Sequence, residues 1–417
     1  MKSTTNLSLK KIVLLSSGQP STNPRLVKEA DALAGAGYTV VVIYQYWNHW
    51  ATQFDRELLP QKKWVSIRVG GSHDEDTSAW WFSRLSQKFN ILIAKTLGLK
   101  FGTAERAAGR AGAFLYDAAR KHPADLYIAH NLPALPAAVK AAGLIQAKCG
   151  FDAEDYHRNE THDNPAEFDV QLKTYIENSY LPHCNYLTAS SQQISDQYQQ
   201  LFPLKKITTL LNVFPRQHLQ LLKLDKKGLL KLFWCSQTIG ADRGLEEVIE
   251  AMGILKKPIE LHMLGQCSAD YKIALLKLAA AHGLDVELLH FYQPVLADTI
   301  FQFAAGFDIG LATETGMPLN RDICLSNKIF TYLQSGLAIV ASDTIAQGQF
   351  INDHPSIGLL YAKNDATSLA ASLNAYFEDR QLLQETKSGN YVLGQVHLNW
   401  ETESRKFLSV VEKTLAN

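Results

Sequence analysis

The chain has 417 residues, 46% of them hydrophobic and 20% charged, which suits a soluble globular protein of two domains. Forty-one Lys and Arg balance forty-one Asp and Glu, so wholesale nucleic-acid binding is excluded and no nucleic-acid partner is expected. The five cysteines (Cys149, Cys184, Cys235, Cys267, Cys324) are scattered, odd in number and without a Cys-x-x-Cys pair, which reads as reduced thiols. The first residues lack the apolar core of a signal peptide, and no stretch is long and apolar enough to span a bilayer. A cytoplasmic location is the expectation, with the inner face of the membrane as its one peripheral alternative.

In chain order, short apolar runs predict strands over 11–15, 38–44, 126–130, 185–189 and 207–211, then over 231–235, 259–264, 286–292, 307–311 and 337–342. Helical periodicity fills the intervals, over 24–36, 104–121, 133–147, 244–256, 269–282 and 326–335. Strands this short, apolar and separated by helices imply parallel sheets covered on both faces. Two series imply two doubly wound α/β domains. The expected division is 1–215 with a last helix of about 396–417 packing back, and 216–395, with the charged stretch 223–231 on the hinge side of the second domain.

The most informative segment is K-L-F-W-C-S-Q-T-I-G-A-D-R-G-L-E-E-V-I-E-A-M at 231–252. A buried strand ends near Cys235, a loop with Gly240 and Gly244 follows, and a helix begins with Leu245, Val248, Ile249 and Met252 on one face. Strand, glycine loop and helix start make an anion site, because free backbone N–H groups and the helix dipole converge on one spot. Arg243 can add its charge there, although the same pattern also fits a capping turn with a surface arginine. A second helix start lies in S-N-K-I-F-T-Y-L-Q-S-G at 326–336. Ser326 or Asn327 can cap it, and Lys328 stands in its first turn, where the dipole disfavours a cation. That placement hints at an anionic partner, against the plain alternative of a solvated lysine. His130 closes an apolar strand, at the carboxyl edge where ligands of α/β proteins bind.

Three further stretches invite chemistry. Glu154, Asp155, His157, His162 and Asp163 lie within 152–163, but their spacing fits no metal pattern, and an acceptor-side loop is the preferred reading. Asp74-Glu75-Asp76 forms an Asp-x-Asp triplet with no strand expected before it, which reads as a solvated loop. The segment 80–95 places Phe82, Leu85, Phe89, Leu92 and Ile93 on one face beside Arg84, Lys88 and Lys95. Such a helix can rest on an anionic membrane or pack on the first sheet, and packing is the expectation.

The segments 28–43, A-H-N-L-P-A-L-P-A-A (129–138), T-I-G-A-D-R-G-L-E-E-V-I-E-A (238–251) and 326–342 together resemble family 4 glycosyltransferases, in order and spacing over nearly the whole chain. The resemblance implies the B-type fold, two Rossmann-like domains facing a cleft. It also implies transfer of a sugar from a nucleotide-diphosphate-sugar donor with retention of configuration, onto a glycan or lipid-linked acceptor, with no metal and no cofactor. It assigns Arg243 to the donor diphosphate and His130 to the donor sugar near the reacting carbon, the two catalytic candidates. Gly18, Ser236, Gly240, Ser326, Asn327, Lys328 and Thr331 fall on the donor side, and Asn23, Arg25, Glu154 and Asp155 on the acceptor side. Two departures stand out. Ile323 and Thr331 occupy the positions of the family's Glu-x7-Glu pair, and Ser236 and Gln237 stand where a second basic residue is usual. They keep open a non-catalytic sugar-nucleotide-binding or partner-activating subunit. A sugar-nucleotide epimerase is a third, weaker reading.

Overall fold

The computed structural model describes residues 10–220, 228–296 and 299–416. The chain divides into two compact units, one running to Leu211 and resuming at Ser404, the other spanning Asn212–Glu403. Most of the expected hinge stretch 223–231 lies outside the described residues.

The first unit holds a parallel seven-stranded sheet, ordered β3-β2-β1-β4-β5-β6-β7. Its strands are β1 (Lys11–Ser16), β2 (Thr39–Gln45), β3 (Val65–Val69), β4 (Leu126–His130), β5 (Lys148–Ala153), β6 (Tyr186–Ala189) and β7 (Ile207–Thr209). Its helices are α1 (Pro24–Gly35), α2 (His49–Leu58), α3 (Thr77–Leu97), α4 (Thr103–Ala108), α5 (Gly112–Lys121), α6 (Leu135–Leu144), α7 (Phe168–Tyr180) and α8 (Gln192–Leu201). The central strands are apolar on both faces because helices cover both: Ile12, Val13, Leu14 and Leu15 of β1 are all fully buried. Each such side chain contributes on the order of 1.5–3 kcal/mol of burial.

The second unit repeats the plan with six strands, ordered β10-β9-β8-β11-β12-β13. These are β8 (Leu230–Ile239), β9 (Ile259–Cys267), β10 (Leu289–Tyr292), β11 (Ile309–Ala312), β12 (Ala338–Ser342) and β13 (Gly358–Tyr361). The helices are α9 (Leu245–Leu255), α10 (Ala269–Ala281), α11 (Ile300–Ala304), α12 (Leu319–Ile323), α13 (Asn327–Ser335), α14 (Ile345–Asp353), α15 (Ala366–Glu378), α16 (Arg380–Val396) and α17 (Trp400–Ala416). Leu245, Val248, Ile249 and Met252 of α9 meet Leu232 and Trp234 of β8 in one buried cluster, as their period requires. From Ser404 onward α17 belongs to the first unit, where Phe407 and Val411 are fully buried and Lys10 donates to the Leu415 carbonyl at 2.7 Å.

Both sheets are doubly wound, as expected. In each, strand order reverses beside the first strand of the unit, between β1 and β4 and between β8 and β11. Ligands of this architecture bind outside the carboxyl ends of the strands at that reversal. β3 and β13 escaped sequence reading, while β5 was read only as strand-like at 149–151. The helical span 104–121 is two helices, α4 and α5. The expectation for 80–95 is overturned. α3 turns Ser83, Asn90 and Ala94 inward and lies against α4, while Phe82 (67%), Leu85 (63%), Phe89 (62%) and Leu92 (60%) face outward.

Candidate functional site

At the reversal point of the second sheet, β8 runs on to Ile239, past the expected end at Cys235. Its pairing with β9 is irregular between Cys235 and Thr238, so Ser236 and Gln237 sit in a strand irregularity. The turn into α9 is built from left-handed residues, Asp242 at φ 59° and Gly244 at φ 73°. Gly244 caps α9, and a Cβ there would stand 2.6 Å from the Thr313 Cβ after β11, so glycine alone fits. Thr313 Oγ1 donates to the Arg243 carbonyl at 2.7 Å, which ties the turn to the neighbouring strand end. The Arg243 guanidinium donates to Ser236 Oγ at 3.2 Å, and among the described residues no carboxylate pairs with it. The first-turn glutamates of α9 are engaged elsewhere, Glu246 by the Tyr271 hydroxyl at 2.6 Å and Glu247 by the Tyr361 hydroxyl at 3.1 Å. Gly240 has neither a positive φ nor a close neighbour; it lies beyond β8, away from the left-handed turn.

The second helix start is α13. Ser326 precedes it, and its side chain caps no helix N–H. Its hydroxyl donates to Glu314 Oε1 at 3.2 Å, and Lys328 Nζ meets the same oxygen at 2.6 Å. The Lys328 charge is therefore answered within the chain, and both readings of it, a free cation awaiting an anion and a solvated lysine, give way to an ion pair whose side chains are only 12% and 13% exposed. Burial pushes the Glu314 carboxyl up, but Lys328, Ser326 and Arg321 outweigh it and hold it below the usual range. Thr331 is buried, and its hydroxyl bonds back to the Asn327 carbonyl at 3.3 Å. It does not stand open beside a ribose. Asn327 opens the helix beside these groups.

In the first unit, parallel register places Ser16, His130, Asp152 and Thr188 side by side across β1, β4, β5 and β6. Arg25 of α1 grips Asp152 with two hydrogen bonds, Nε–Oδ2 at 2.5 Å and Nη2–Oδ1 at 2.8 Å, and donates to the Leu210 carbonyl at 2.7 Å. Thr188 donates to Asp152 at 2.6 Å. His130 Nε2 lies 3.2 Å from Glu29, and its Nδ1 lies 3.5 Å from Asp152 and 3.6 Å from Glu154. These contacts are close but poorly aligned as hydrogen bonds, so the attraction is mainly Coulombic. Burial opposes the imidazolium, but Glu29, Glu154 and Asp152 outweigh it and raise its pKa to about 10. Burial and Arg25 lower Lys28 to about 7, and burial with Asp152 raises Glu29.

The structure thus brings Asn23, Arg25, His130 and Glu154 together in one charged cluster, in which the His130 ring nitrogens and the Glu29 carboxylate make no aligned hydrogen bond. Arg25 and His130 are fully buried. Asn23 caps α1 through Leu26 at 2.9 Å and donates to Glu154 at 2.6 Å. Asp155 sits beside them, half-buried. Gly18 follows β1, with its N–H on Ser16 Oγ at 3.1 Å; that hydroxyl donates in turn to Asn131 at 3.1 Å. Sequence reading missed Glu29, Asp152 and Glu314. Arg25 and Glu29, four apart on one helix, were the available signal.

Among the described residues, Glu154, Asp155, His157, His162 and Asp163 fall in no three-ligand group. His157 pairs with Glu160 at 3.2 Å, and Glu160 with Lys173 at 3.2 Å. Among the described residues, three-ligand groups form at Glu29–His130–Asp152 and at Glu260–His262–His290. The 74–76 triplet does follow a strand, β3, and it serves as a helix start: Asp76 accepts from the Ala79 N–H at 3.2 Å, and Glu75 pairs with Arg68.

No family model and no curated protein matches the sequence. Solved structures match over nearly its whole length. The crystal structure of Anabaena Alr3699/HepE in complex with UDP-glucose aligns with TM-score 0.68 at 14% identity, covering 97% of this chain and 100% of that one. A glycosyltransferase from Rickettsia africae ESF-5 aligns with TM-score 0.67 at 14% identity, over 98% and 100%. Sucrose-phosphate synthase from Thermosynechococcus elongatus aligns with TM-score 0.66 at 12% identity, over 98% and 99%. The chain has the B-type glycosyltransferase fold, two Rossmann-like units of parallel sheet and flanking helices. No helix of the described residues is long and apolar enough to cross a membrane.

Proposed function

We propose that the protein is a retaining glycosyltransferase that moves a sugar from a nucleotide-diphosphate donor to a glycan or lipid-linked acceptor, in polysaccharide assembly on the cytoplasmic side. The donor binds the second unit, with its diphosphate against the α9 start. One observation carries this reading: Arg243, without a carboxylate partner, stands at a helix N-terminus whose turn is locked by Gly244 and Thr313. N–H groups, helix dipole and guanidinium together bear the charge that grows on the leaving diphosphate, so the reading needs neither metal nor cofactor. The bond from the anomeric carbon to the diphosphate oxygen breaks, and the acceptor oxygen bonds to that carbon on the same face. The acceptor proton passes to the departing phosphate, and no protein nucleophile is required. The first unit takes the acceptor, near Asn23, Asp155 and Glu154.

A non-catalytic sugar-nucleotide-binding subunit is favoured by one specific observation, the complete burial of His130. Thermal-shift screening of the full chain against nucleotide-sugars, native and Arg243→Ala, tests the shared premise. Stabilisation by a nucleotide-sugar that Arg243→Ala abolishes is expected, and no response to any of them overturns both readings. Product formation from the stabilising donor and an acceptor panel then separates enzyme from subunit.

A further inference from the structure

α3 is built inside out for a surface helix. The stripe it buries is small or polar, Ser83, Asn90 and Ala94, and is fixed by hydrogen bonds. Arg110 donates to Ser83 Oγ at 2.9 Å, and Gln87 donates to the Ala107 carbonyl of α4 at 3.1 Å. Its large apolar side chains point the other way. Trp81 is 57% exposed beside the row Phe82, Leu85, Phe89 and Leu92, and after the helix Phe101 is 97% exposed. Amphipathic helices bury the apolar face, and contiguous apolar surface of this kind marks a binding face.

Charge decides what it binds. Between Thr77 and Ala104 there is no Asp or Glu, while Arg84, Lys88, Lys95 and Lys100 are all present and all exposed. Against a second copy across a two-fold axis these four cations would face themselves and repel. Against an anionic bilayer each finds a headgroup, while the aromatic and leucine side chains enter the boundary between headgroups and acyl chains. Trp81 suits that boundary, with an apolar ring and one polar N–H.

We propose that α3, with the segment through Phe101, docks this protein on the surface of an anionic phospholipid bilayer, lying along it. This rests on α3 and its charges alone, so its failure leaves the donor-site reading untouched, and the reverse holds too.

The test is co-sedimentation of the full chain with vesicles of phosphatidylcholine alone and of phosphatidylcholine with phosphatidylglycerol. The native protein is expected to sediment with the anionic vesicles only, and less so as salt rises. Lys88→Ser/Lys100→Ser is expected to lower the partition coefficient about tenfold or more. Phe82→Ser/Phe89→Ser is expected to do the same, and since all four side chains are exposed, melting temperatures should hold. Native protein that stays in solution with anionic vesicles, or equal partition of all three proteins, overturns the proposal. So does a native dimer that the phenylalanine variant converts to monomer, which would give the face to a protein partner.

Discussion

Asp152→Asn tests whether the first unit is organised by charge at its core. The replacement keeps shape and an oxygen for Thr188, but removes the carboxylate that Arg25 holds at 2.5 and 2.8 Å and that lies 3.5 Å from His130. Removing one partner of a buried ion pair costs about 3–5 kcal/mol, because the other charge stays buried. Arg25 keeps the Leu210 carbonyl at 2.7 Å and Glu29 at 3.6 Å, so the lower end, about 3 kcal/mol, applies. With a urea m-value of roughly 2–3 kcal/mol/M, the midpoint falls by about 1–1.5 M. Five of the seven tryptophans (Trp47, Trp50, Trp64, Trp80, Trp81) lie in the first unit, so fluorescence follows its unfolding. The cluster also dictates a pH dependence. His130 is raised to about 10 from an unfolded value near 6.5. Its contribution is fully present below about pH 6.5 and lost as pH rises through 10. Loss of Asp152 removes one source of that rise, so the gap between native and variant midpoints should narrow toward pH 10.5. A midpoint shift under about 0.3 M at pH 7 refutes the reasoning. The double variant Arg25→Met/Asp152→Leu, which removes both charges, should recover much of the loss.

Gly244→Ala forces an L side chain to φ 73° with its Cβ 2.6 Å from Thr313. A cost of about 1–3 kcal/mol in thermal unfolding is expected, with weaker nucleotide-sugar binding by calorimetry. Gly240→Ala, whose Cβ would meet only Thr238 at an ordinary 3.8 Å, should stay within about 0.5 kcal/mol, and equal effects at the two positions would count against the turn geometry. Thr331→Glu places a carboxylate, as in the glycosyltransferases that the sequence resembles, at a position only 4% exposed. It should lower the melting temperature and fail to tighten donor binding, whereas tighter binding would show that the position opens to the ribose. Glu314→Gln leaves Lys328 without its 2.6 Å partner, and a loss of about 1–3 kcal/mol in chemical denaturation is expected.

What sequence reading caught and missed has physical causes. Uniform apolar runs such as I-V-L-L in β1 and A-I-V-A in β12 announce strands buried on both faces. β5 does not, because its Asp152 is polar at a buried strand position, and the partners that make that tolerable, Arg25 and Thr188, come from distant elements. β3 reads V-S-I-R-V at a half-exposed edge, where alternation is too short to stand out. For α3 the amphipathic pattern was legible, but its direction was not. Periodicity shows that a face is apolar, and says nothing about which face the rest of the fold covers. The turn at Gly244 was legible because helix-start chemistry is local. Glu314 was not, because its link to Lys328 joins the end of one strand to the start of a later helix, and the Glu-x7-Glu spacing directs attention to Ile323 instead.

The two strand-order reversals hold opposite kinds of chemistry. At the β1–β4 reversal, charges answer one another: Arg25 with Asp152, and His130 with Glu29, Asp152 and Glu154. Opposite charges packed in this way hold the strand ends together and compensate one another within the cluster. At the β8–β11 reversal, Lys328 and Glu314 cancel in the same manner, but Arg243 does not, and the α9 N-terminus adds partial positive charge beside it. On the proposed reading, an anion at the second unit favours the 242–245 turn over the α13 start. On that reading, the Lys328–Glu314 pair ties the α13 start to the segment after β11, and Arg243 is the side chain whose loss should be felt in binding itself.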